Sequence, residues 1–318
     1  MAFEIERVDA LEVLDSRGRP TLTVTVALGD GTVAEAGVPS GASTGTREAV
    51  ELRDGDAARF GGSGVTRAVA NVNGELNDAL AGRTWDDLAS VDQAMRDLDG
   101  TPNKARLGAN ALIGTSMALA RALAASAHEP LYEWLPGFGQ PARMPVPCFN
   151  VLNGGAHAPN PLDFQEFMVC PLGAPSMAEA VRAGAEVYAA LKKRLAAGGH
   201  ATGLGDEGGF APDLAEPEEV LELIVQAITD AGYPTGSEGV GIALDPAASE
   251  FWTADGYRVN GQLLSSGDLI ARYAEMIDRF PIWSLEDGIG EQDPEGWKAI
   301  TAELGGRIQI VGDDNFCT

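Results

Sequence analysis

The chain has 318 residues, 45% hydrophobic and 22% charged, which is too much apolar material for a disordered polypeptide and enough for a large core. Lys and Arg total 22 against 47 Asp and Glu, and a formal charge of -25 repels DNA, RNA and acidic membrane surfaces at long range. The 40 Gly and 18 Pro follow no short period, so they read as turns between short elements rather than as a collagen or linker tract.

Cys148, Cys170 and Cys317 are far apart in the chain, odd in number and without CxxC spacing, a pattern that fits a reducing compartment better than a disulfide framework. The N-terminal segment MAFEIERVDALEVLD is too acidic for a signal peptide. The most apolar stretch, residues 111–127, is Ala-rich and interrupted by Arg121, which predicts a buried helix rather than a membrane span. A soluble, cytoplasmic protein with neither nucleic acid nor membrane as partner is expected.

Residues 7–14 and 20–28 are rich in Val, Leu and Thr, and DSRGRP and GDG supply turns, so a small antiparallel sheet is expected first. From about 64 to 134 the spacing becomes helical, giving a first domain, 1–138, of strands followed by helices. The Pro/Gly-rich stretch 135–145 marks the boundary with a second domain, 139–318. There, 146–152 and 167–170 flank a long Gly/Pro/Asn loop and read as a hairpin. Ser176 and Glu179 have capping-box spacing ahead of a helix that runs to Ala197 and stops at Gly198-Gly199. A helix at 217–231, a strand at 241–244, a helix at 268–280, a strand at 282–285, a helix near Trp297 and a strand at 308–312 complete a series of parallel βα units.

Three of the apolar runs end in a carboxylate: Asp245 in IALD, Glu286 in WSLED and Asp313 in IQIVGD. In a βα barrel the C-terminal strand ends share one rim, so these acids are expected to meet at one point, where three like charges need a cation. Each alone reads as a helix cap, whereas three in register favour a metal. Oxygen ligands without His or Cys suit Mg²⁺. The hairpin loop NGGAHAPNPLDFQEF aims His157, Gln165 and Glu166 from the same rim. GDEGGFAP holds Asp206 and Glu207 between glycines, either as solvated acids of a tight turn or with Glu207 partly buried, keeping a proton and serving as general acid. SGASTG, residues 40–45, is a simple turn or a lid that carries Ser43 to a metal; it lacks the Gly-Lys-Ser/Thr tail of a P-loop.

Together DSRG, PSGASTG, the NK..LGANA segment from Asn103 to Ala111, NVLNGG.HA.N.LD.QEFM, GDEGGFAP, ALD..ASEF, EDG and IVGDD resemble the enolase family nearly from end to end, in its order and approximate spacing. The resemblance implies an α/β fold class: a small α+β N-terminal domain followed by an enolase-type TIM barrel that begins β-β-α-α. It implies Mg²⁺ held by Asp245, Glu286 and Asp313, with a second Mg²⁺ recruited when Ser43 closes over substrate. By the same analogy Glu207 is the proton donor to the departing hydroxide, assisted by Glu166. His157 and Gln165 contact substrate, as do Glu166, Glu286 and Asp313. The implied activity is that of a glycolytic lyase, the reversible dehydration of 2-phosphoglycerate to phosphoenolpyruvate through a metal-stabilised enediolate. A homodimer, or an octamer of dimers, is implied as well.

A complete (β/α)₈ barrel takes about 250 residues, and by this reading only five of eight strands precede Thr318. The family's general base is a lysine on a later strand, and none of Lys104, Lys192, Lys193 and Lys298 is expected at a strand end. A natural protein longer than this sequence is the favoured expectation. A second polypeptide supplying the remaining strands, or a remodelled chain, are the alternatives. Arg19 stands where the family usually has Asn and Pro294 where it has Trp. Asn315 and Cys317 interrupt a normally apolar segment. Those last two departures keep open an enolase-like phosphonate enzyme of the carboxyphosphonoenolpyruvate synthase type, and a non-catalytic remnant or binding subunit that retains the metal site is a third reading.

Overall fold

The computed structural model describes residues 2–41, 44–135 and 143–317. They group into two compact units, one built from most of the chain up to Arg143 and the other from Met144 to Cys317.

The first unit begins with β1 (Phe3–Leu14), β2 (Pro20–Leu28) and β3 (Val33–Gly37), an antiparallel meander joined at its other edge by β4 (Arg83–Trp85), in the order β3-β2-β1-β4. Between β3 and β4, α1 (Thr66–Asn71) continues through a π-helical turn at Val72–Leu76 into α2 (Asn77–Leu80). Next come α3 (Leu88–Asp99), α4 (Ala109–Ser126) and α5 (Leu131–Trp134). Asp87 and Ser90 cap α3 reciprocally, and Gly100 ends it in the left-handed conformation that favours glycine. The Ala-rich stretch is indeed a buried helix, α4, which lies close against β2 because Gly114 has no side chain. A Cβ there would sit 2.7 Å from methyl groups of Val24 and Val38. No helix among the described residues is long and apolar enough to cross a membrane.

The second unit opens with the expected hairpin, β5 (Phe149–Asn153) antiparallel to β6 (Glu166–Cys170). Helices α6 (Met177–Ala197) and α7 (Pro217–Asp230) follow, then β7 (Gly241–Asp245), which pairs antiparallel with β6. After α8 (Ser266–Arg279), β11 (Ile282–Glu286) adds parallel to β7. After α9 (Pro294–Leu304), β12 (Gln309–Val311) adds parallel to β11. The sheet order is β12-β11-β7-β6-β5, so the β-β-α-α beginning and the parallel units that follow it agree with expectation, and the five strands do not close into a barrel.

One feature was not anticipated: β8 (Trp252–Thr253), β9 (Gly256–Val259) and β10 (Gln262–Leu264) form a separate antiparallel sheet between β7 and α8. The capping box expected at α6 is half formed. The Ser176 hydroxyl accepts the Glu179 N–H at 3.2 Å, while the Glu179 carboxylate turns to Arg182. A full reciprocal box like that of α3 occurs at α8, between Ser265 and Asp268.

Phe167, Val169, Ile242, Leu244 and Leu285 point to one face of the sheet and pack on Val187 and Leu191 of α6, Ile224 of α7, Tyr273 of α8 and Ile300 of α9. Because strand side chains alternate, Glu166, Asp245 and Glu286 are left at the ends of β6, β7 and β11 with the helices behind the sheet.

Candidate active site

Strand register brings the carboxylates into a row. Glu166 at the start of β6 is directly opposite Asp245 at the end of β7. Leu285 pairs with Leu244, so Glu286, one residue further along β11, continues the row, and Glu286 in turn pairs with Val311 of β12, two residues before Asp313. No Lys or Arg forms an ion pair with Asp245, Glu286 or Asp313 among the described residues. Burial first, then repulsion from Glu286 and Glu166, pushes the Asp245 carboxyl up to about 9. Burial, with Asp287 and Asp313 nearby, pushes Glu286 up to about 7.

Asp245, Glu286 and Asp313 thus stand at or just beyond the ends of β7, β11 and β12, three neighbouring strands. Among the described residues, the acidic and imidazole group whose ligand atoms all lie within 4.8 Å of one another is His157, Glu166 and Glu207. Around these strand ends, carboxylates accept nearby backbone N–H groups. Asp245 Oδ1 accepts the backbone N–H of Ala247 at 2.8 Å. Asp313 follows a loop seated on another carboxylate. Asp287 Oδ1 accepts the N–H of Asp313 at 3.0 Å and Oδ2 that of Asp314 at 2.9 Å. Asp287 is itself buried, and its φ of +39° is a left-handed conformation that Asp tolerates better than most residues.

The tighter cluster is assembled by the hairpin and the GDEGG loop. His157 is almost fully buried, at 3% exposure, and its Nδ1 lies 3.4 Å from Glu166 Oε1 and 3.6 Å from Glu207 Oε2. Glu166 foremost, and Glu207 with it, hold the imidazole above its ordinary pKa. Burial would raise Glu166, yet the contacts with His157 and Glu207 keep it below the usual carboxylate range. Glu207 moves the other way: burial, then Glu166, pushes it up to about 7. His157 Nε2 and Gln165 Oε1 are buried without a hydrogen-bond partner, an unfavourable state that a polar ligand relieves.

Two asparagines that the sequence reading did not single out build this corner. Asn153 Oδ1 accepts the Gly209 N–H at 3.0 Å, its Nδ2 donates to the Gln165 carbonyl at 3.3 Å, and its backbone N–H donates to Phe210 O at 2.8 Å. Asn150 Nδ2 donates to Glu207 Oε2 at 3.3 Å. Gly209 is required for this approach, since a Cβ there would meet Asn153 Oδ1 at 2.6 Å and Asn150 Oδ1 at 2.8 Å. The only advance signal was a strand ending in Asn-Gly-Gly, which marks polar backbone packing without naming its partner. Ser43 lies outside the described residues.

The comparisons with known proteins agree across both units. Residues 5–135 match the family described as Enolase, N-terminal domain, and 141–318 match Enolase, C-terminal TIM barrel domain. The chain is also 55% identical over 317 residues to a protein named Enolase from Rubrobacter xylanophilus, covering 99% of this chain and 73% of that relative.

The chain belongs to the enolase family.

Enolases are lyases, and the five-stranded sheet is thus the first part of an enolase barrel, in which β5 and β6 account for the two leading antiparallel strands. The four lysines of this enolase-family chain stay away from the strand ends: Lys104 belongs to the first unit, Lys192 and Lys193 to α6, and Lys298 to α9.

Proposed function

We propose that this chain carries the metal-binding and proton-donating side of an enolase site, acting in the reversible dehydration of 2-phospho-D-glycerate to phosphoenolpyruvate. The observation that carries the reading is the contrast between two neighbouring carboxyls, Glu166 held low beside His157 and Glu207 pushed up to about 7. Paired groups driven apart in this way divide the roles of anion and acid. Glu207, pushed up to about 7, is protonated in a large fraction of molecules near neutral pH and delivers that proton to the hydroxyl leaving from C3, so that water departs instead of hydroxide. Glu166, held low, favours the charged form of His157, and that form draws an anionic substrate toward the buried His157 and Gln165 groups.

Asp245, Glu286 and Asp313 would hold Mg²⁺. Their fit rests on a row of oxygen donors of which two are buried enough to be pushed toward neutrality, and among the described residues no Lys or Arg forms an ion pair with any of the three. When bound, Mg²⁺ offsets the second negative charge that the substrate carboxylate acquires as the α-proton leaves. No lysine of this chain ends a strand, so we assign no general base.

The test is dehydration of 2-phosphoglycerate by the native protein, together with Mg²⁺-dependent binding of the same compound. Chelator should abolish both, and Glu207→Gln should lower turnover by about 10²–10⁴-fold while binding persists. Turnover that survives chelation and Glu207→Gln would exclude this reading, and reaction with a phosphonate analogue in place of 2-phosphoglycerate would redirect the substrate assignment.

A further inference from the structure

The hairpin that presents Glu166 at one end brings two cysteines together at the other. Phe149 of β5 pairs with Val169 of β6, so Cys148 and Cys170 stand one step further along the same antiparallel ladder. The Cys170 thiol donates to the Cys148 sulfur across 3.2 Å, and both are free thiols, Cys148 exposed and Cys170 buried. Residues directly opposite in an antiparallel pair have Cα atoms about 4.5–5.5 Å apart, inside the range of about 4.4–6.8 Å that a disulfide spans. Bond formation therefore needs rotation of side chains and no movement of the strands. The Cys170 hydrogen bond also favours a thiolate on Cys148, lowering it to about 7, whereas the buried Cys170 thiol is pushed up by the same contact and by burial and keeps its proton. The solvent-facing sulfur is thus the nucleophile, and the buried one is the resolving thiol.

We propose that Cys148 and Cys170 form a reversible dithiol site that a hydroperoxide oxidises to a cross-strand disulfide. In the first step the Cys148 thiolate attacks the peroxide oxygen. The O–O bond breaks, the sulfur is oxidised to a sulfenic acid by two electrons, and hydroxide, or from an organic peroxide an alkoxide that then takes a proton from water, leaves. In the second step the Cys170 sulfur attacks Cys148, forming the S–S bond as the S–O bond breaks, and the Cys170 proton leaves with the hydroxyl as water. A thiol reductant reverses the bond by exchange. Cys170 ends β6, at the opposite end of that strand from Glu166.

The test is brief exposure of the reduced native protein to hydrogen peroxide, followed by alkylation and peptide mapping. Free thiols should fall from the three of the reduced protein to one, that of Cys317, and return to three with dithiothreitol. Trypsin leaves both cysteines on one peptide, since no Lys or Arg lies between Arg143 and Arg182; cleavage after Glu166 should then yield two halves that remain joined. Cys317→Ser should leave the linkage unchanged, and Cys170→Ser should leave Cys148 as a sulfenic acid trapped by dimedone. Three alkylatable thiols after peroxide, a Cys148 sulfinic acid beside an alkylatable Cys170, or linkage to Cys317 would each overturn the proposal.

Discussion

His157 Nδ1 lies 3.4 Å from Glu166 Oε1, and each group sets the charge of the other. The imidazole is raised and the carboxyl lowered, so each group favours the charged form of the other. A raised imidazole contributes stability that is fully present below its unfolded value of about 6.5 and is lost as pH rises through the folded value. His157→Gln should therefore cost on the order of 1 kcal/mol near pH 6 and much less near pH 9. Denaturant midpoints of the two proteins across that range check the sign; a larger cost at alkaline pH would contradict it.

Glu207 is pushed up to about 7, by burial first and Glu166 second, so its proton is present below that pH and lost above it. An acid that must be protonated to work should give dehydration rates that decline on the alkaline side of about pH 7. In Glu207→Gln that limb should vanish along with most of the rate, because Gln cannot lose a proton in this range. A variant with an unchanged alkaline limb would mean that another group controls it.

Asp287 seats the backbone that carries Asp313, and its carboxylate is the acceptor for two consecutive N–H groups. Removing it in Asp287→Ala takes away the carboxylate that accepts both N–H groups and adds strain at a positive φ. Stability should fall by about 1–3 kcal/mol, and Mg²⁺ affinity by about 10–100-fold. Asp287→Asn keeps one acceptor and tolerates the backbone, so it should fall between. Thermal unfolding and metal titration on the same samples separate the two effects.

A cation bound by Asp245 and Glu286 must displace the protons that burial and mutual repulsion keep there, at about 9 and about 7. Mg²⁺ binding should then release protons and tighten as pH rises from 6 to 9. Calorimetry in buffers of different ionisation enthalpy measures the release directly. Binding without proton release near pH 7 would contradict the coupling.

Much of the scaffold could be read from the chain because strand ends, helix stops and turns are written in local residues. The hairpin of β5 and β6, the helix arrested at Gly198-Gly199, and the carboxylates of Asp245 and Glu286 at strand ends are all of this kind. What escaped depends on contacts between distant residues. In the pair Glu286-Asp287, the sequence does not say that the second acid turns back to hold the Asp313 loop. Asp245 ends its strand as expected, but its hydrogen bond to Ala247 aims the carboxylate along its own backbone. Cys148 and Cys170 looked unrelated at 22 positions apart, until the register of the hairpin placed their sulfurs in contact. The strands β8 to β10 are two to four residues long, too short for a period of two to register.

The central claim is that Asp245, Glu286 and Asp313 hold the divalent cation, although His157, Glu166 and Glu207 form the more compact donor cluster. Calorimetric titration of Mg²⁺ into the wild type, Asp245→Asn and His157→Gln distinguishes the two, and Asn at 245 is well suited because the native carboxyl is already pushed toward its neutral form. Asp245→Asn should weaken binding by about tenfold or more, with His157→Gln within about threefold of wild type. Normal Mg²⁺ affinity in Asp245→Asn with loss of binding in His157→Gln would contradict the account.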